Sequence, residues 1–397
     1  FIVGCVYWTG MVLAMSSEAA AVSILVRRWF PGISISFLGS IIILVITLLN
    51  LLGADKLSKL ESGLAAVKLL AVISFIVIAL LLTTGILKSN AGSMGIESVK
   101  FSFFLPGGIK SIAGSMLTVM FAYAGFEIIG LAASETDNPK KTIPKAIKYT
   151  VSSLVILYIV SVLAVILLIP TDVLGENVSP MVAALNRWGM NWAGNVINIV
   201  MIIAILSTML AAMFGIGRMI RSLANESYAP RWLKGDSNIP YKGIIFSGGA
   251  MFLGLMLGLL FPRVYLFLVS CGGFSLLFTY VMIIASQISL RRNYKHIMEK
   301  KGHSYISWIT IMSLIVIILS MPFIPGQSSG LIAGIIIIVF YMIVYTIMKY
   351  YIKIKKQDGL ESKFNAKEHR KGFLMELSKE FIEKRKPFEK RSKKYHK

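Results

Sequence analysis

Ten separate apolar stretches, each long enough to cross a bilayer, leave this chain little choice of fold. They cover roughly 1–26, 33–53, 62–86, 112–133, 149–169, 192–215, 243–261, 264–288, 305–324 and 330–349. A helical span needs about 20 apolar residues to cross the hydrocarbon core. Strands of a membrane barrel would be shorter and would alternate polar with apolar residues. The prediction is an all-α polytopic membrane protein. Only three full charges lie at depth in these stretches, Glu18, Lys68 and Glu127. A charge in hydrocarbon is costly unless it is paired, hydrated or used, so these three mark a route or a site.

The net charge of +22 would suit a nucleic-acid partner, and its distribution argues against one. Of the 41 Lys and Arg, 17 fall in residues 349–397. Alternate loops between the spans carry another 16, among them Lys56, Lys140, Lys141, Arg218, Arg221, Arg231 and Arg291. The opposite loops carry 7, including Arg27, Arg28 and Arg187. Positively charged loops stay in the cytoplasm, which places the first set and the C-terminal tail there. The basicity reports topology in an inner, plasma-type membrane rather than nucleic acid.

Thiols and imidazoles exclude further classes. Cys5 and Cys271 both lie within apolar stretches, with no spacing that suits a disulfide framework or a zinc site, and read as packing. His296, His303, His369 and His396 all lie outside the stretches. No metal cluster or nucleophile–base pair is visible, so neither an enzyme nor a resident cofactor is expected.

The organisation is a membrane domain, 1–350, followed by a basic tail, 351–397. Phe373, Leu374, Leu377, Phe381 and Ile382 recur in the tail at helical spacing, which would let it rest on anionic headgroups. A solvated charged tail is the alternative. Phe1 is already inside an apolar run that is too long for a signal peptide and contains Glu18. The expectation is an even number of spans upstream. Residues 218–242 predict a short surface helix and a turn, and 170–190 a loop.

One stretch does not read as a simple span. Residues 111–133, SIAGSMLTVMFAYAGFEIIGLAA, contain Gly114, Gly125 and Gly130, with Glu127 beside Phe121, Ala122, Tyr123, Ala124 and Gly125. Glycine weakens a helix by about 1 kcal/mol relative to alanine. Unwound backbone inside a membrane survives only where it lines a cavity or is buried in protein. A helix interrupted at mid-depth offers free carbonyls and free N–H groups, the partners of an ammonium and a carboxylate. An amino acid fits such a place. Close helix packing would explain the glycines equally well, but it gives no reason for Glu127. Tyr123 and Phe126 could line a pocket or simply pack. Next come Asp137, Asn138 and Pro139, a stop-and-turn signal, with Thr142 placed to cap a helix starting near Pro144.

The run FAYAGFEIIGLAASETDNPKKTIPKAI, residues 121–147, resembles the signature of the amino acid–polyamine–organocation (APC) permeases. Within that superfamily it is similar to the bacterial amino acid transporter group that includes GABA and aromatic amino acid permeases. Three further segments match in order: NLLGADKLSKLESGLAAVKLL at 50–70, GRMIRSLANESYAPRWL at 217–233 and SCGGFSLLFTYVMIIASQISLRR at 270–292. The resemblance implies a LeuT-like fold of which this chain supplies helices three to twelve, with the first two missing. It also implies a substrate held at mid-membrane against the unwound backbone at 121–125, in a pocket shaped by Glu127.

The resemblance gives the other two intramembrane charges roles as well. Lys68 matches a fifth-helix lysine that stands where sodium-coupled relatives hold an ion, with Ser207 and Thr208 of the eighth helix as its implied neighbours. Snorkelling of Lys68 to the interface is the alternative. Likewise Ser207 and Thr208 could bond back to their own helix. Glu18, in AMSSEAAAV, could pair with Lys68, carry a proton or fix packing. The function implied is proton-coupled symport of an amino acid by alternating access. Sodium-independent exchange and a nutrient sensor that binds without transporting remain alternatives.

Overall fold

The computed structural model describes residues 1–87, 108–125, 129, 138–175, 178–235, 237, 239–261, 263–293, 304–324 and 326–357. Among these residues there are eleven α-helices and no strand. In chain order they are α1 (Ile2–Val26), α2 (Ile35–Asn50), α3 (Ala54–Thr83), α4 (Gly108–Ala122), α5 (Pro139–Leu168) and α6 (Pro180–Arg187). Then follow α7 (Asn191–Asn225), α8 (Tyr241–Gly258), α9 (Val264–Asn293), α10 (Ser304–Ser320) and α11 (Ser328–Gln357). Eight are long and apolar enough to cross a membrane, and α2 is a shorter apolar helix. The chain is an all-α, multi-pass membrane protein. Residues Phe1–Met342 form one compact unit and Ile343–Lys397 a second.

Helix α1 is the centre of the first unit. It packs against α2, α7, α8 and α9, and 67% of its span is buried, as is that of α9, against 11% for α3. Small residues make this possible. A side-chain carbon added at Gly10 would sit 2.5 Å from Ser275 Cβ, and one at Gly272 would lie 3.2 Å from the Gly10 carbonyl oxygen and 3.3 Å from Ala14 N. Backbones can approach this closely only where side chains are minimal, as is usual between helices in lipid. Serines add polar ties without free hydroxyls. Ser16 donates to the carbonyls of Val12 and Met251, each at 2.9 Å, the second crossing from α1 to α8. Trp8 donates Nε1 to Ser247 Oγ at 3.0 Å, a second tie to α8.

Three apolar clusters surround this axis. Met15, Ile46, Met213, Ile216, Met251 and Leu255 join α1, α2, α7 and α8. Phe75, Leu82, Leu168, Leu185 and Trp188 join α3, α5 and α6. Leu117, Phe274, Leu277 and Leu314 join α4, α9 and α10. Cys5 and Cys271 are both buried, the latter in a small cluster with Val264, Phe267 and Leu268.

The stretch 112–133, expected to be interrupted near 121–125, stops as an α-helix at Ala122. The elements depart from expectation at three places. Helix α5 begins at Pro139 rather than near Pro144, so Thr142 lies inside it. Proline is favoured at the first helical position because its missing N–H would be unbonded there anyway, and Asn138, at φ 55°, turns the chain into the helix. Within 170–190 a short helix, α6, forms where a loop was expected. Helix α7 runs without interruption through Arg218 and Arg221 to Asn225, and only a 3₁₀ turn at Arg231–Leu233 follows.

Candidate functional site

Three of the residues singled out by charge and pattern lie on α1, α3 and α7, the helices packed around the centre of the unit. Lys68 donates Nζ to Ser207 Oγ at 2.9 Å, linking α3 to α7. Ser207 is buried, with 1% of its surface exposed, so the ammonium reaches inward rather than to the interface. Its neighbour Thr208 is turned the other way. Thr208 Oγ1 donates to the carbonyls of Ile205 at 2.7 Å and Ala204 at 3.4 Å, on its own helix. Adjacent residues on a helix point about 100° apart, so only one of two neighbouring hydroxyls can face α3.

Glu18 sits one turn past Ala14 on α1, half-buried, with Lys68 within electrostatic range of its carboxylate. Tyr265, at the start of α9, lies within electrostatic range of the same carboxylate. Oε2 of Glu18 is buried and has no hydrogen-bond partner among the described residues. The flanking serines do not serve it, because Ser16 is committed as above and Ser17 donates to the Ala14 carbonyl at 2.6 Å. A buried carboxylate oxygen without a donor is costly to keep. An acid and an ammonium thus share one intramembrane neighbourhood, and protonation of either changes the field at the other.

The second group lies at the end of α4. The helix stops at Ala122, and Tyr123, Ala124 and Gly125 form a turn. Tyr123 N–H still bonds the Val119 carbonyl at 3.2 Å, whereas Ala124 N–H bonds Phe121 at 3.1 Å, the tighter pattern of a fraying last turn. Gly125 then takes φ 108°, a conformation open to glycine and strained for other residues. Among the described residues, nothing lies within 4 Å of an added side-chain carbon at Gly125. The backbone torsion by itself calls for a glycine here. Phe121, Tyr123 and Ala124 are half-buried and Ala122 is exposed. Phe126 and Glu127 lie outside the described residues.

Sequence reasoning passed over Tyr158 of α5. Its hydroxyl donates to the Ala122 carbonyl at 2.9 Å, and its ring meets that of Tyr123 edge-on with centroids 4.9 Å apart. A tyrosine in an apolar run carries no local signal of such a bond. The two partners are 36 residues apart, and only a helix packing model could have paired them.

No group of three or more His, Cys, Asp or Glu suited to a metal occurs among the described residues. The arrangement offers an interrupted helix end with main-chain groups and, separately, an acid–ammonium neighbourhood between α1, α3 and α7. The first suits a small zwitterion, the second suits proton movement.

Comparison with known proteins gives a consistent picture. The family described as amino acid permease matches residues 1–361. An uncharacterized amino acid permease of Bacillus subtilis, YtnA, is 29% identical over 358 residues, covering 87% of this chain and 77% of that protein. The gamma-aminobutyric acid permease of the same bacterium is 27% identical, covering 85% of this chain and 75% of its own length. The B. subtilis amino-acid permease RocE is 29% identical, with coverage of 90% and 78%.

Proposed function

From the premise that this chain belongs to the amino acid permease family, whose members carry amino acids across membranes, we propose that it is a proton-coupled symporter working by alternating access. The plasma membrane is its site, with the basic tail, 351–397, in the cytoplasm. The observation that carries the coupling is the 2.9 Å bond from Lys68 to Ser207. An ammonium inside a membrane protein is costly, and losing its proton would weaken its hold on the Ser207 hydroxyl. Protonation thus sets whether α3 and α7 are tied, and Glu18 supplies a neighbouring acid that can exchange the proton. Substrate binds against residues Phe121 to Gly125, where the end of α4 supports a main-chain site, and Glu127 shapes the pocket.

Reconstituted protein tests this reading. Each of the twenty L-amino acids and γ-aminobutyrate, radiolabelled, is offered to proteoliposomes with and without an inward proton gradient. At least one should accumulate only with the gradient, with proton uptake alongside. Lys68→Ala should lower that accumulation about 100-fold while leaving counterflow measurable, since loss of a group needed for the coupled step removes several kcal/mol of driving interaction. Uptake that ignores the gradient and requires amino acid inside would instead make the protein an exchanger. Binding without movement of label would make it a sensor.

A further inference from the structure

A helix that ends inside a membrane must find partners for its last carbonyls. At the end of α4 the carbonyls of Val119 and Phe121 are taken by main-chain N–H groups, whereas that of Ala122 accepts a side chain from a different helix, the Tyr158 hydroxyl at 2.9 Å. The contact is deep. Tyr158 lies ten residues before the end of α5 at Leu168, and Ala122 is the fifteenth residue of α4. At about 1.5 Å per residue, those positions are roughly 15 and 21 Å from the respective helix ends, near the middle of a bilayer. The Tyr123 ring, edge-on at 4.9 Å, holds the Tyr158 ring in place.

We propose that Tyr158 is a positioning residue that occupies the Ala122 carbonyl while the site is empty and yields it to the ammonium of an amino acid on binding. The inference rests on the reading that substrate binds at 121–125. The chemistry favours the exchange in that direction. A phenol is a neutral donor, and a hydrogen bond from an ammonium is about twice as strong. The contact lies at an exposed position, so the released hydroxyl is not left enclosed in protein. Meanwhile the carbonyl is never left bare in the membrane interior, so the broken helix survives the empty half of the cycle. Gly125, at φ 108°, lets the chain turn sharply just past the Ala122 carbonyl.

This arrangement has a consequence of unusual sign. Tyr158→Phe removes a bond from the empty state and none from the occupied state, so it should tighten binding. A typical net hydrogen bond corresponds to about five-fold in the dissociation constant. The experiment is thermal-shift titration of detergent-purified full chain with each of the twenty L-amino acids and γ-aminobutyrate. The panel member that stabilises the wild type should stabilise Tyr158→Phe at about five-fold lower concentration. Replacing Tyr158 by 3-fluorotyrosine, a stronger donor of nearly the same shape, should shift the midpoint the opposite way by about two-fold. This second protein also serves if the phenylalanine variant does not assemble. Unchanged or weaker binding by Tyr158→Phe, or no shift with fluorotyrosine, overturns the role given to Tyr158 and leaves the transport reading standing. A wild type that no panel member stabilises overturns both.

Discussion

Glycine does opposite work in two parts of this molecule. Between α1 and α9, Gly10 and Gly272 bring two backbones so close that an added carbon would collide with Ser275 at the first and crowd the Gly10 carbonyl at the second. At the end of α4, Gly125 has no described residue within 4 Å of where that carbon would go, and is needed for its φ of 108°. The first glycines are about volume and the last is about torsion. A packed seam leaves two backbones no room to shift, whereas a turn held by one side chain from a neighbouring helix is less constrained. The two regions are thus distinguishable by what their glycines forbid.

Substitution separates the two most sharply at Gly10. Gly10→Val should destabilise the fold by about 3 kcal/mol or more, because overpacking forces helix axes apart. A drop in the detergent unfolding midpoint would register it, and an unchanged midpoint would dissolve the contrast. Gly125→Ala comes next. The strain of the unusual φ is on the order of 1–3 kcal/mol, yet there is room for the methyl group, so the protein should assemble while uptake falls about ten-fold. Should it unfold the protein as Gly10→Val does, the end of α4 would be scaffold as well.

The pair on α7 makes the smallest and most local test. Ser207→Ala removes the acceptor of Lys68 and should cost about 1–3 kcal/mol, visible in both unfolding midpoint and proton-driven uptake. Thr208→Val deletes a hydroxyl that bonds its own helix and should change either quantity less than two-fold. Equal effects at the two positions would mean that the link to α3 carries no weight.

Much of this could be read from the residues, and the reasons for the remainder are physical. Length and apolarity located the membrane helices, since nothing else buries twenty apolar residues in a row. The glycines near Glu127 marked where α4 stops, and the likeness to the APC permeases pointed from Lys68 to Ser207. The partner of Ala122 was invisible. In a soluble helix, the polar face shows which side is buried, but the stretch of α5 after Ser153 is almost wholly apolar and advertises no rotation. Without that rotation Tyr158 is one tyrosine among many. The start of α5 was misplaced for a simpler reason. Two prolines, Pro139 and Pro144, both resemble a first-turn residue, and the earlier one begins the helix while the later is carried inside it.

The seam between α1 and α9 also limits how this protein can move. Two rods glued along their length flex poorly and swing as a single plank. Any large rearrangement of the bundle must therefore find its hinge elsewhere.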